Sequence, residues 1–156
     1  MLLSGITMSL FSRMPFDKKQ IEASIIKLEQ QTSAELRVYI ERTMPKSDTP
    51  LSSVERALAI FSQLDMEKTE AKNAVLIYIA HKDHQCSVIG NEGIHQYVGN
   101  EFWQQQCQLM IDHFKQRDYT LGVVSAIERI GSELAKHFPI KPDDQNELPN
   151  EVIIND

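Results

Sequence analysis

Apolar positions fall into contrasting patterns along the chain, and the contrast assigns the elements. Ala74 to Ala80 is an unbroken apolar run, rich in β-branched and aromatic residues and too short for an ordinary helix. Four polar residues follow, His81-Lys82-Asp83-His84, and then a second short run from Cys86 to Ile89, closed by Gly90. This reads as a β-hairpin whose first strand is buried on both faces. Glu35 to Glu41 is different. Leu36, Val38 and Ile40 alternate with Glu35, Arg37, Tyr39 and Glu41, which predicts a half-exposed strand close to the sheet edge.

The helices carry their own signals. Asp17 with Gln20 three positions on is a capping-box pattern, and Phe16 and Ile21 are spaced as a hydrophobic staple. Ile21, Ile25 and Leu28 then form one apolar stripe that ends near Gln31. Pro50 after Thr49 predicts the opening of a second helix, with Val54, Leu58 and Phe61 on its buried face. It fades near Asp65. Gly93 to Val98 reads as a short helical turn, and Asn100 to Gln116 as a long helix burying Trp103, Cys107, Met110, Ile111 and Phe114. After Arg117-Asp118-Tyr119, a last helix sets Val123, Ile127, Ile130 and Leu134 on one face. A strand, a helix and a strand in that order imply a right-handed parallel crossover, with the hairpin returning antiparallel. The expected fold class is α/β, a three-layer sandwich in which a small mixed β-sheet is flanked by helices.

Three segments follow from these patterns. Residues 1–14 read as a disordered or alternative-start segment, since Met8 and Met14 are both candidate starts. They offer neither a signal-peptide pattern nor a span long enough for a bilayer. Residues 15–138 form the α/β domain. Residues 139–156 hold three prolines and five acids against one base, Lys141, and predict an acidic extended tail that Ile140, Leu148 and Ile153 pin onto the domain.

Composition narrows the chemistry. The 156 residues suffice for one domain that buries roughly two thirds of its surface. A hydrophobic content of 42%, with 24% charged residues, is that of an ordinary soluble globular chain. A formal net charge of −6 argues against a nucleic-acid surface, which relies on clustered Lys and Arg. Cys86 and Cys107 have no metal or redox spacing and sit among apolar neighbours, so they read as buried free thiols in a reducing, cytoplasmic setting.

No nucleophile elbow, Gly-rich phosphate loop, HExxH or CxxC occurs. The candidates are acids and histidines at strand ends. Ligands of open α/β sheets sit beyond the carboxyl ends of parallel strands, which here means the loop holding Asp48 and the turn holding Asp83. The long helix can deliver Asp118 to the same rim, giving Asp48, Asp83 and Asp118 as an oxygen-ligand cluster for Ca²⁺ or Mg²⁺. Each has a plainer reading: Asp is a favoured turn residue, Asp48 lies in a loop, and Asp118 is placed to cap the last helix. A second group, Glu70, Asn73, Glu92 and His95, falls at the other end of the hairpin. Strands of about seven residues span roughly 23 Å, so the two rims cannot share an ion. Glu92 is equally a turn residue. His81 and His84 flank the hairpin turn and, with Asp83, offer transition-metal ligands, though no third ring is evident. Lys82 and Arg117, with Arg42 and Lys46, are the positive groups available to an anionic substrate at the near rim.

The run Ala34-Glu35-Leu36-Arg37-Val38, the strand from Asn73 to Ile79, Asp83 in the turn, Gly90 to Ile94, and Asp118-Tyr119 together resemble the TPM domain family. The similarity spans about residues 15 to 138, and the tail from Asp143-Asp144 to Pro149 looks like the short, stand-alone bacterial branch. The resemblance implies an α/β/α fold, divalent-cation binding in some members and acid phosphatase activity in plant ones. Asp83 and Asp118 match acidic positions of the family pattern. Departures lie elsewhere: Lys72-Asn73-Ala74 stands where Asp-Asn-Gly is frequent, Gly93-Ile94-His95 where Gly-Leu-Glu is usual, and His84 where an Arg commonly follows the turn Asp. The far rim is thereby short of two acids. Two functional expectations follow. One is a Ca²⁺- or Mg²⁺-binding accessory module for a protein partner, a membrane-associated one included. The other is a metal-assisted acid phosphatase acting on phosphomonoesters.

Overall fold

The computed structural model describes residues 14–47, 51–143 and 147–155; the segment 1–13 and Asp48 lie outside them. Strand β1 (Leu36–Glu41) pairs in parallel with β2 (Val75–Ala80), from Leu36 opposite Val75 to Glu41 opposite Ala80. Strand β3 (Gln85–Gly90) folds back antiparallel onto β2. A fourth strand, β4 (Ile153–Asn155), joins the other side of β1 in parallel, so the sheet order is β3-β2-β1-β4. Helices α1 (Lys18–Glu29), α2 (Ser53–Gln63), α3 (Glu92–Lys115) and α4 (Tyr119–His137) flank it. The mixed-sheet α/β sandwich is the expected architecture.

Local chemistry sets the boundaries. Asp17 caps α1 by accepting the Gln20 N–H at 3.1 Å, and Phe16 and Ile21 are both buried in one core. Gly99 (φ 73°, ψ 176°) breaks α3 where the sequence separates a short turn from a long helix. At the start of that helix, Gly93 donates its N–H to the Lys72 carbonyl at 2.7 Å. A Cβ there would lie 2.3 Å from the Ala71 oxygen and 2.4 Å from that of Lys72. Only glycine lets α3 enter this close to the chain leading into β2.

The sheet has two unlike covers. Helices α1, α3 and α4 enclose an apolar core in which Leu36, Val38, Ile40, Val75, Ile77 and Ile79 meet Ile25, Met110, Ile127 and Ile130. Each such aliphatic side chain contributes about 1.5–3 kcal/mol by leaving water. Helix α2 and the short 3₁₀ turn Met66–Lys68 cover the opposite face, with Tyr39, Leu76 and Tyr78 against Ala57, Ile60, Phe61 and Met66.

Three expectations need correction here. Strand β1 is buried along its whole length and lies inside the sheet, because β4 takes its outer edge. Its polar side is roofed as well. Glu41 is 2% exposed and forms a two-bond ion pair with Arg56 of α2, at 2.9 and 3.0 Å. Tyr78 Oη–H donates to the same carboxylate, and Asn155 Nδ2–H donates to it and to Tyr39 Oη. Glu35 accepts the Glu147 N–H at 2.7 Å. Burial pulls the Arg37 guanidinium below its usual range, partly offset by Glu151.

Helix α2 begins later than expected. Ser52 caps it, and a reciprocal capping box with Glu55 closes at 3.1 and 3.0 Å; Thr49 and Pro50 lie outside the described residues. Its buried face is also rotated from the expected one. Ala57, Ile60 and Phe61 point inward, whereas Val54 and Leu58 are about half exposed. Finally, the tail does more than pin. Val152 is fully buried and Leu148 and Ile153 pack on the second core, but Ile140 stays exposed. Among the described residues no helix is long and apolar enough to cross a membrane.

Candidate functional site

The carboxyl ends of β1 and β2 open onto two loops that are tied together. His81 N–H and Lys82 N–H donate to the carbonyls of Glu41 and Arg42, at 3.1 and 2.8 Å. Asp83 Oδ2 accepts the Met44 N–H at 2.6 Å, so the turn carboxylate anchors the loop that leaves β1. His84 closes the turn with a left-handed backbone, φ 55°, a conformation uncommon for a residue with a Cβ.

The exit of α3 has a similar geometry. Arg117 is also left-handed, φ 64°, and donates its N–H to the Phe114 carbonyl at 2.9 Å. Asp118 takes the N-cap position of α4, and its carbonyl accepts the Gly122 N–H at 3.0 Å. Its carboxylate makes no capping bond, so the capping role expected of that side chain is carried by the backbone alone. Asp118 is exposed and Asp83 half-buried.

These two turns border one cavity of about 520 Å³, walled by His81, His84, Gln85, Lys115, Arg117 and Tyr119. An aromatic cluster fixes its floor. Phe16 meets His81, Phe114 and Tyr119 edge-on with ring centroids 5.6–5.9 Å apart, and Phe114 stacks on Tyr119 at 5.4 Å. Edge-to-face pairs of this kind are worth about 0.5–1.5 kcal/mol beyond their buried area, so the turns are held by packing as well as by hydrogen bonds. Lys82 is exposed on the hairpin turn and is not part of this wall. Lys115, Gln85 and Tyr119 are wall residues that sequence reasoning missed. Lys115 sits in the last turn of α3, where a cation complements the helix dipole, and that reading hides its position beside the cavity.

The far-rim candidates are engaged separately. Asn73 is buried, and Glu92 is exposed as the first residue of α3, its N–H held by Asn91 Oδ1 at 2.7 Å. Glu70 is exposed and donates its N–H to Glu147 at 3.3 Å. His95 Nδ1 accepts the Trp103 indole N–H at 3.0 Å and faces a second cavity of about 430 Å³ between β3, α2 and α3. Among the described residues no group of three or more His, Cys, Asp or Glu side chains is placed to hold a metal ion. At the near rim, the oxygens on offer are those of Asp118 and the Asp83 oxygen not given to Met44. Ca²⁺ takes six to eight oxygen ligands, so water and backbone carbonyls would complete the shell.

A small mixed sheet flanked on both faces by helices, with a cavity between the hairpin turn and the exit of α3 whose wall includes neither Asp83 nor Asp118, defines an α/β sandwich. The family model of the TPM domain matches residues 10–133, and the chain belongs to that family. Among solved structures, it is similar to the BA42 protein of the psychrophilic bacterium Bizionia argentinensis. The identity is 36% and the TM-score 0.78, covering 88% of this chain and 92% of that one. The N-terminal domain of a protein from P. gingivalis shares the fold at 14% identity and TM-score 0.63, over 83% of this chain and 84% of that one. The N-terminal domain of the cg2496 protein from Corynebacterium glutamicum does so at 11% identity and TM-score 0.56, over 83% and 80%. A comparison with curated proteins gives no match.

Proposed function

We propose that this TPM-domain protein is an accessory module that binds a divalent cation, Ca²⁺ or Mg²⁺, at the near rim and acts by docking onto a protein partner. What supports the reading is the meeting of two turns at one cavity, with His81 and His84 on one side and Arg117 and Tyr119 on the other, and with Asp83 and Asp118 the acids of those turns in sequence. Asp83 serves a second purpose, because the Met44 N–H it holds links cation occupancy to the position of the loop after β1. Asp48, four positions after Met44 in sequence, is the third carboxylate of the proposal.

The test is calorimetric titration of CaCl₂ and MgCl₂ into the wild type, Asp83→Asn and Asp118→Ala. Asparagine keeps an oxygen for the Met44 N–H while removing the charge. Binding heat in the wild type, weakened about tenfold or more in each variant, is expected, since charged oxygens dominate affinity for hard cations. Identical, metal-indifferent traces would remove the reading.

A second reading is favoured by a different observation, the cationic wall. Lys115 and Arg117 line the same cavity alongside His81 and His84, and preorganised positive groups such as the first two are what phosphoryl oxygens require. The matching family model is itself named for a phosphatase. In this reading Arg117 and Lys115 hold the phosphoryl oxygens, Lys82 approaches from the exposed turn, and a histidine moves the proton. A bound cation would polarise the phosphoryl group and ready a water.

A further inference from the structure

Cys86 on β3 and Cys107 on α3 are 21 positions apart in sequence and meet at the wall of the second cavity. Both thiols are free; Cys86 is buried, and Cys107 is partly open to the space of about 430 Å³ that His95, Trp103 and Ser87 also line. Cys86 Sγ–H donates to the Cys107 carbonyl at 3.7 Å.

The two thiols are therefore unequal. The hydrogen bond from Cys86 draws the Cys107 thiol below the ordinary range, helped by Val88 and opposed by burial. The same contact, together with burial, pushes the Cys86 thiol up. Cys107 is the more exposed of the two sulfurs at the cavity; Cys86 is buried. An accessible thiol beside a buried second one is the arrangement of an attacking and a resolving cysteine.

We propose that Cys86 and Cys107 form a peroxide-sensitive dithiol whose oxidation to a disulfide ties β3 to α3 across this cavity. The Cys107 thiolate attacks one oxygen of hydrogen peroxide. An S–O bond forms, the O–O bond breaks, and hydroxide leaves to take up a proton as water. Cys86 then attacks the Cys107 sulfenic sulfur, giving up its proton as the S–S bond forms and the S–OH bond breaks, and a second water leaves. The sulfur pair loses two electrons and the peroxide gains them. The cross-link spans β3 and α3, and it places a covalent bar along the cavity wall. This inference is independent of the near rim.

The test exposes the reduced full-length chain to hydrogen peroxide and maps its peptides without reduction. A Cys86–Cys107 linked peptide is expected, with loss of two hydrogens from the intact mass and reversal by dithiothreitol. In Cys86→Ser, which removes the resolving thiol, dimedone is expected to trap a sulfenic acid on Cys107. In Cys107→Ser, Cys86 is expected to react about tenfold more slowly or less, as a protonated buried thiol does. Two free thiols after an exposure that oxidises free cysteine would overturn the proposal. So would cross-links found only between chains, or Cys86 reacting before Cys107. The wild-type map decides the matter even where a serine variant does not fold.

Discussion

Strand β1 presents two interiors from a single backbone, and they are built on opposite principles. Leu36, Val38 and Ile40 enter the apolar core under α1, α3 and α4. Glu35, Arg37, Tyr39 and Glu41 point the other way, to a face where polar contacts border the second core and are closed by α2 and the C-terminal residues. The first side needs only complementary volume. The second needs specific partners, because a buried carboxylate without its guanidinium costs more than the pair ever contributes. Alternation of polar and apolar residues along a strand thus reports two environments. It does not report which of them is water.

The largest effect should come from breaking the polar side at its centre. Arg56→Ala leaves Glu41 charged and buried and is expected to cost about 3–5 kcal/mol in urea unfolding. The double variant Glu41→Leu with Arg56→Met should recover most of that loss, since apolar replacements of buried ion pairs are often neutral or stabilising. A double variant as unstable as Arg56→Ala would mean that the polar layer is required for folding itself.

A smaller effect comes from the hydroxyl. Tyr78→Phe removes the O–H donated to Glu41 and is expected to cost about 1.5–3 kcal/mol at neutral pH. Burial first, and the Glu41 contact second, push the Tyr78 phenol well above its ordinary range. A pKa raised in the folded state contributes stability that is complete below the unfolded value and declines as pH rises past it. Wild-type stability should therefore fall above about pH 10 as unfolded Tyr78 ionises. Chemical unfolding from pH 8 to 11 should show that decline in the wild type and a shallower one in Tyr78→Phe.

The smallest effect sharpens the same boundary from outside. Ser52→Ala opens the capping box that starts α2, at a cost of about 1 kcal/mol by thermal unfolding. A much larger loss would mean that the polar layer depends on how α2 enters it.

Short-range signals gave a reliable account of much of this architecture. The apolar run from Ala74 to Ala80, the polar turn after it, the Asp17 cap and the break at Gly99 each depend on neighbours a few positions away. What escaped depended on distant ones. The buried face of α2 includes Ala57, too small to register as a hydrophobic landmark, while Val54 and Leu58 satisfy helical spacing and yet face outward. Nothing near β1 announces that residues over a hundred positions later will cover it. At the rim, Asp83 and Asp118 are readable as turn acids, but Lys115 and Tyr119 enter the cavity wall only because α3 and α4 meet there. The facing of Cys86 and Cys107 is likewise a product of α3 lying along β3.

The pairing of β1 with β4 has a consequence in time. Asn155 reaches Glu41 across 114 residues, whereas the hairpin partners Ala80 and Gln85 are joined by a four-residue turn. Loop closure grows costlier with separation, and long-range pairings form late. The sheet is consequently a structure with an early seam and a late one, and its charged interior is sealed when β4 joins β1.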